Sequence, residues 1–147
     1  MPRLGLSNRS TKGKDRVPNI IIDEDFASGT GGFTFTATTG SNDTERLKTI
    51  ASGASTPHYA YKILPAAPGV TYNYSIELET TGLGGGHIQI GSGVGNSEYV
   101  NQDAASATIY TGSFTIPTSV TLIVLHLVGD NDSVTTKWDN ILIQEDN

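Results

Sequence analysis

Between Thr71 and Glu79 the chain reads TYNYSIELE, with Tyr72, Tyr74, Ile76 and Leu78 at every second position and Asn73, Ser75, Glu77 and Glu79 between them. On a helix the four apolar residues would scatter around the axis, whereas on an extended strand they share one face. Further runs rich in Thr, Val, Ile and Tyr predict strands over 19–23, 33–38, 46–51, 59–64, 71–79, 87–90, 108–116, 120–128 and 134–144. The seventeen glycines and six prolines fall mostly between these runs, where turns need them, and leave helix little room. One run, VTLIVLHLV at 120–128, is apolar on both faces and therefore predicts a central strand. Short strands at this spacing predict an all-β, antiparallel β-sandwich of the jelly-roll type, two sheets packing their apolar faces together.

The 147 residues suit one domain with a core large enough to stand without disulfides, and the absence of cysteine removes thiol catalysis and thiolate metal sites. No stretch approaches the roughly 18–20 apolar residues of a membrane span, and the first residues lack the apolar core of a signal peptide, so a soluble chain outside the ordinary export route is expected, with no membrane partner. The net charge of −6 is unevenly spread: residues 1–18 hold Arg3, Arg9, Lys12, Lys14 and Arg16 against Asp15, which is +4 and leaves −10 for the rest. The expected organisation is a basic arm over 1–18, bounded by Val17-Pro18, and a β-sandwich domain over 19–147. Leu4 and Leu6 give the arm an apolar foot for docking on a partner. Nucleic acid fits poorly, because no aromatic lies among the basic residues to stack on bases and the acidic body repels phosphate.

Four segments in order, NIIIDEDFASGTGGF (19–33), PAAPGVTYNYSIELE (65–79), YTGSFTIP (110–117) and KWDNILIQE (137–145), carry a resemblance to the carbohydrate-binding-module-like, or galactose-binding-like, jelly-roll domains. It spans nearly all of residues 19–145. In that superfamily an Asn, apolar residues and a Phe open the domain, a Pro-Gly turn leads into a Tyr-containing strand, and an aromatic-Asp-Asn-apolar motif closes it. Here the opening Gly-Asp-Phe-Glu is Glu24-Asp25-Phe26-Ala27, and Phe33 stands where Trp is common. The resemblance implies that Tyr72, Ile76 and Leu78 build the core and that Trp138 is a core aromatic. It also implies a structural calcium between the opening motif and the closing Asp, matched by Asp25 and Asp139, but with Ala27 replacing a carboxylate the expectation is that no ion is required.

Sugar binding calls for exposed aromatics on one concave face, and Tyr59, Tyr61, Tyr99 and Trp138 are the candidates, of which Trp138 is not assigned to a ligand because the resemblance makes its position core. Catalysis finds no constellation: His58, His87 and His126 share no motif spacing, and His126, interrupting an apolar strand, reads as a satisfied core or rim histidine. GSGVG at 91–95 precedes no helix and is no phosphate loop. GDNDS at 129–133 reads as a hairpin turn, and Glu77 and Glu79 form no glycosidase pair without a cleft. No residue is assigned to catalysis, to a cofactor or to a metal, and no enzyme activity is expected. The start MPRLGLS resembles the N-termini of small tailed-phage structural proteins. On that short resemblance, and on the design of a domain with no catalytic constellation, no export signal and a basic arm suited to an acidic lattice, the expected function is a structural virion protein of a tailed bacteriophage, a decoration, fibre or collar component held to other virion proteins through residues 1–18 and self-associating, with a surface glycan as an additional partner. The alternative is a free carbohydrate-binding module that recognises cell-surface glycans.

Overall fold

The structure, a computed structural model, describes residues 19–51, 58–81, 85–129 and 135–146; the expected arm over 1–18 and the turn at GDNDS lie outside or largely outside them. Eleven strands follow in chain order: β1 (Ile20–Glu24), β2 (Thr34–Thr36), β3 (Thr38–Asn42), β4 (Leu47–Ala51), β5 (Tyr59–Pro65), β6 (Thr71–Thr81), β7 (Gly86–Gly91), β8 (Val100–Ala104), β9 (Thr108–Thr115), β10 (Leu122–Gly129) and β11 (Thr135–Glu145). They form two antiparallel sheets, β3-β4-β11-β6-β9 with β1 also on β11, and β2-β5-β10-β7-β8. The all-β sandwich read from the sequence is the fold observed, and it contains no helix among the described residues. The apolar run 120–128 is β10, with two strands on either side of it.

The core lies between the sheets. Tyr72, Tyr74, Ile76 and Leu78 of β6 all face it, as the alternation requires, and Tyr72 is fully buried. Its hydroxyl is not wasted: it accepts the backbone N–H of Ala67 at 2.8 Å, which fixes the turn before the strand. Trp138 is also fully buried, as the resemblance implied, and donates its indole N–H to Thr136 at 3.2 Å and more distantly to Thr49 at 3.4 Å. Burying the ring without those hydroxyls would strand a polar group in the core.

Three departures from the sequence reading have physical causes. The single strand expected over 33–38 is two strands in different sheets, split at Ala37, whose φ of 46° turns the chain from β2 to β3. The strand β8, VNQDA, was not expected because it has no apolar alternation; as an edge strand it is held by backbone pairing to β7 and buries only one side. Within β11 the register shifts between Asp139 and Leu142, with Asn140 at φ 46°. That bulge lets Trp138, Ile141 and Ile143 all face inward although the first two are three residues apart.

Candidate functional site

The five-stranded sheet sends Ala60, Leu64, Ile88, Ile90, Leu125 and Leu127 into the core. Alternation then places their neighbours on the outer face. Strand register sets Thr36, Tyr59, Val128, His87 and Asp103 in one row across all five strands, and Thr34, Tyr61, His126, Gln89 and Asn101 in the next. A cavity of about 390 Å³ opens on this face, lined by His58, Tyr59, His87, Gln89 and Val128, with Gly95 on its wall.

Two of its lining residues, Tyr59 and Gly95, contact His126. This side chain is fully buried, and its Nε2 accepts the backbone N–H of Gly95 at 2.9 Å, so the ring is neutral with its proton on Nδ1. Tyr59 meets the ring edge-on, with centroids 5.1 Å apart at 85°, and Tyr61 lies 6.3 Å away. Burial holds the His126 pKa below the ordinary imidazole value, and a backbone group of Gln89 opposes this more weakly. Gly95 sits on the loop over residues 92–99, which braces itself: the Glu98 carboxylate accepts the Ser92 hydroxyl and, at 3.0 Å, the Ser92 N–H. Those bonds, the hydroxyl first, lower the Glu98 pKa. Tyr99 N–H closes the loop on the carbonyl of Ile90 at 3.0 Å.

Two polar atoms at this site are left over. The Nδ1 atoms of His58 and His126 are buried and have no hydrogen-bond partner among the described residues. An unsatisfied buried polar group costs about 1–3 kcal/mol, and of these two only His58 lines the cavity, where a polar group of a ligand or a water would satisfy it.

Of the four aromatics that could serve a sugar, the structure brings together two, Tyr59 and Tyr61, 5.9 Å apart on the outer face. Tyr99 instead stacks on Phe114 at 6.2 Å, and Trp138 is core. The three histidines, which share no spacing in the sequence, come near one another: His58 and His87 line the cavity, and His126 contacts its lining residues Tyr59 and Gly95. Neighbouring strands β5, β7 and β10 do this, and pairing order is not written in residue spacing. His126 accepts one hydrogen bond at Nε2, and its Nδ1 has no partner of good geometry among the described residues. The polar members Gln89, Asn101 and Asp103 were missed, since they become a set only through strand register.

Glu77 and Glu79 lie on the other sheet, where Glu79 pairs with Arg46 and Glu77 accepts the Asn140 side-chain amide at 2.8 Å. Asp25 accepts the Ala27 N–H at 2.9 Å; Asp139 accepts the Asn140 N–H at 2.8 Å and has Arg46 at 3.8 Å. Among the described residues no group of three or more His, Asp or Glu side chains could hold a metal ion.

No family model and no curated protein matches this sequence. Solved structures do match it in fold. An endo-1,4-β-D-xylanase of Clostridium thermocellum, its CBM22-1 and GH10 modules complexed with xylohexaose, is 16% identical, with a TM-score of 0.66 over 87% of this chain and 28% of that one. The present chain thus spans under a third of that solved chain. The CBM22-1 xylan-binding domain of Paenibacillus barcinonensis Xyn10C is 12% identical, with a TM-score of 0.66 over 89% of this chain and 97% of that domain. The enzymatically active domain of tailspike protein 4 from bacteriophage CBA120 is 11% identical, with a TM-score of 0.54 over 84% of this chain and 20% of that one. At these identities the likeness is one of fold, that of the carbohydrate-binding-module jelly rolls.

Proposed function

We propose that this chain is a glycan-binding module whose site is the outer face of the five-stranded sheet. The observation that carries the reading is the pairing of two aromatic rings with a buried polar atom: Tyr59 and Tyr61 beside a cavity lined by His58, whose Nδ1 has no partner among the described residues. A pyranose ring presents an apolar face of C–H groups that suits a tyrosine ring, and hydroxyls round its edge that suit His58, His87, Gln89 and Asp103. The domain over 19–147 carries −10, and Asp103 stands in the row, so a neutral glycan fits better than a uronate or a sulfated chain.

The fold likeness to carbohydrate-binding modules supports this alternative over the virion role expected from the N-terminal resemblance, which gains from the comparisons only a tailspike domain of similar fold. Binding, not catalysis, is the activity assigned. Calorimetry against neutral oligosaccharides, xylohexaose included, tests it. Tyr59→Ala and Gln89→Ala are each expected to weaken binding by about tenfold or more, equivalent to about 1.4 kcal/mol. Absence of binding across a broad neutral glycan array, or affinity unmoved by both substitutions, would reject the site.

A further inference from the structure

The fold resemblance implies a calcium ion at the opening of the domain, and the residues present do not fit one. The segment between β1 and β2 passes from one sheet to the other through a series of left-handed residues, Phe26 (φ 54°), Gly29 (84°), Gly31 (61°) and Gly32 (69°). Three carbonyls of this loop are already engaged. The Asn42 side-chain amide donates to Phe26 O at 2.6 Å and to Gly29 O at 2.8 Å, and the Lys62 ammonium donates to Gly31 O. The same ammonium lies 5.6 Å from the centre of the Phe33 ring, within range of a cation–π attraction. The nearby carboxylates are turned to backbone donors: Glu24 accepts the Phe26 N–H at 2.9 Å and Asp25 the Ala27 N–H at 2.9 Å. Asp139, which the resemblance would make a ligand, faces Arg46.

A calcium ion takes six to eight oxygens. Here it would have to displace an ammonium and an amide, and then share the loop with that ammonium. Asn42 belongs to β3 in one sheet and Lys62 to β5 in the other, so the two donors together tie the loop to both layers of the sandwich. We propose that Lys62, with Asn42, is a built-in cation clamp that does for this opening loop what a bound calcium would do, so that the domain is stable without calcium.

The test is thermal unfolding of the whole chain in chelator and in millimolar calcium, for the wild type, Lys62→Met and Asn42→Leu. Lys62→Met keeps most of the unbranched apolar stem and removes the charge and donors. The wild type is expected to melt within a degree or two in both buffers, and each variant several degrees lower in both. A wild-type midpoint many degrees higher in calcium, with the gain lost in Asp25→Ala or Asp139→Ala, would overturn the proposal, because an ion that binds only the folded state must raise its stability. A Lys62→Met midpoint equal to the wild type would overturn it as well. If Lys62→Met does not fold, the wild-type comparison between the two buffers decides alone.

Discussion

Gly95, on the loop over residues 92–99, donates its backbone N–H to Nε2 of the fully buried His126 at 2.9 Å. One hydrogen bond thereby fastens a surface loop to β10, in the sheet of the candidate site. It exists only while His126 is neutral, because an imidazolium has no lone pair to accept it.

The first prediction is a loss of stability in mild acid. Burial depresses the His126 pKa in the folded state below its usual 6.5. The unfolded chain then binds a proton more readily, so this contribution is fully present above the unfolded value and is lost as pH falls from there toward the folded one. The wild-type melting temperature should fall between pH 7.5 and 5.5. His126→Gln, which keeps an acceptor and cannot titrate, should show a flatter profile over that window, and parallel profiles would refute the assignment.

Trp138→Ala should cost about 3–5 kcal/mol, the range for removing a large buried aromatic. The loss leaves a cavity between the sheets and takes from Thr49 and Thr136 the indole N–H they accept. Chemical denaturation measures it. A change within about 0.5 kcal/mol, as for a surface position, would contradict the packing described.

Ala37 is the hinge between the two sheets and holds a left-handed conformation that disfavours any Cβ. Ala37→Gly is therefore expected to be neutral or mildly stabilising, whereas Ala37→Val should destabilise by about 1–3 kcal/mol, since a β-branched residue is strained there. Reversal of that order in denaturant midpoints would show that packing at residue 37 outweighs the backbone.

Removal of residues 1–16 should leave the domain folded. Its described part begins at Asn19, whose carbonyl accepts the Glu145 N–H at 3.0 Å and so closes the first residue onto the last strand. Melting within a few degrees of the full chain is the expected result; a large fall would mean that the basic segment is part of the folded unit and not an arm.

The alternation in residues 71–79 and the doubly apolar run at 120–128 were enough to determine the class of fold, because a period of two has one physical meaning and a strand apolar on both faces must be surrounded. The family resemblance carried by the closing KWDN implied a core position for Trp138, which is fully buried. The candidate site was legible only as loose parts. Tyr59 and Tyr61 were visible as aromatics of a strand, but their difference from Tyr99 depends on which face each strand presents. His58, His87 and His126 lie tens of residues apart and meet because β7 and β5 flank β10, an order set by how two sheets bury their apolar faces together. The sheet switch at Ala37 was hidden for a related reason: it places a residue with a Cβ in a left-handed conformation that local sequence does not favour, whereas the bulge at Asn140 uses a residue that tolerates that conformation but does not announce it.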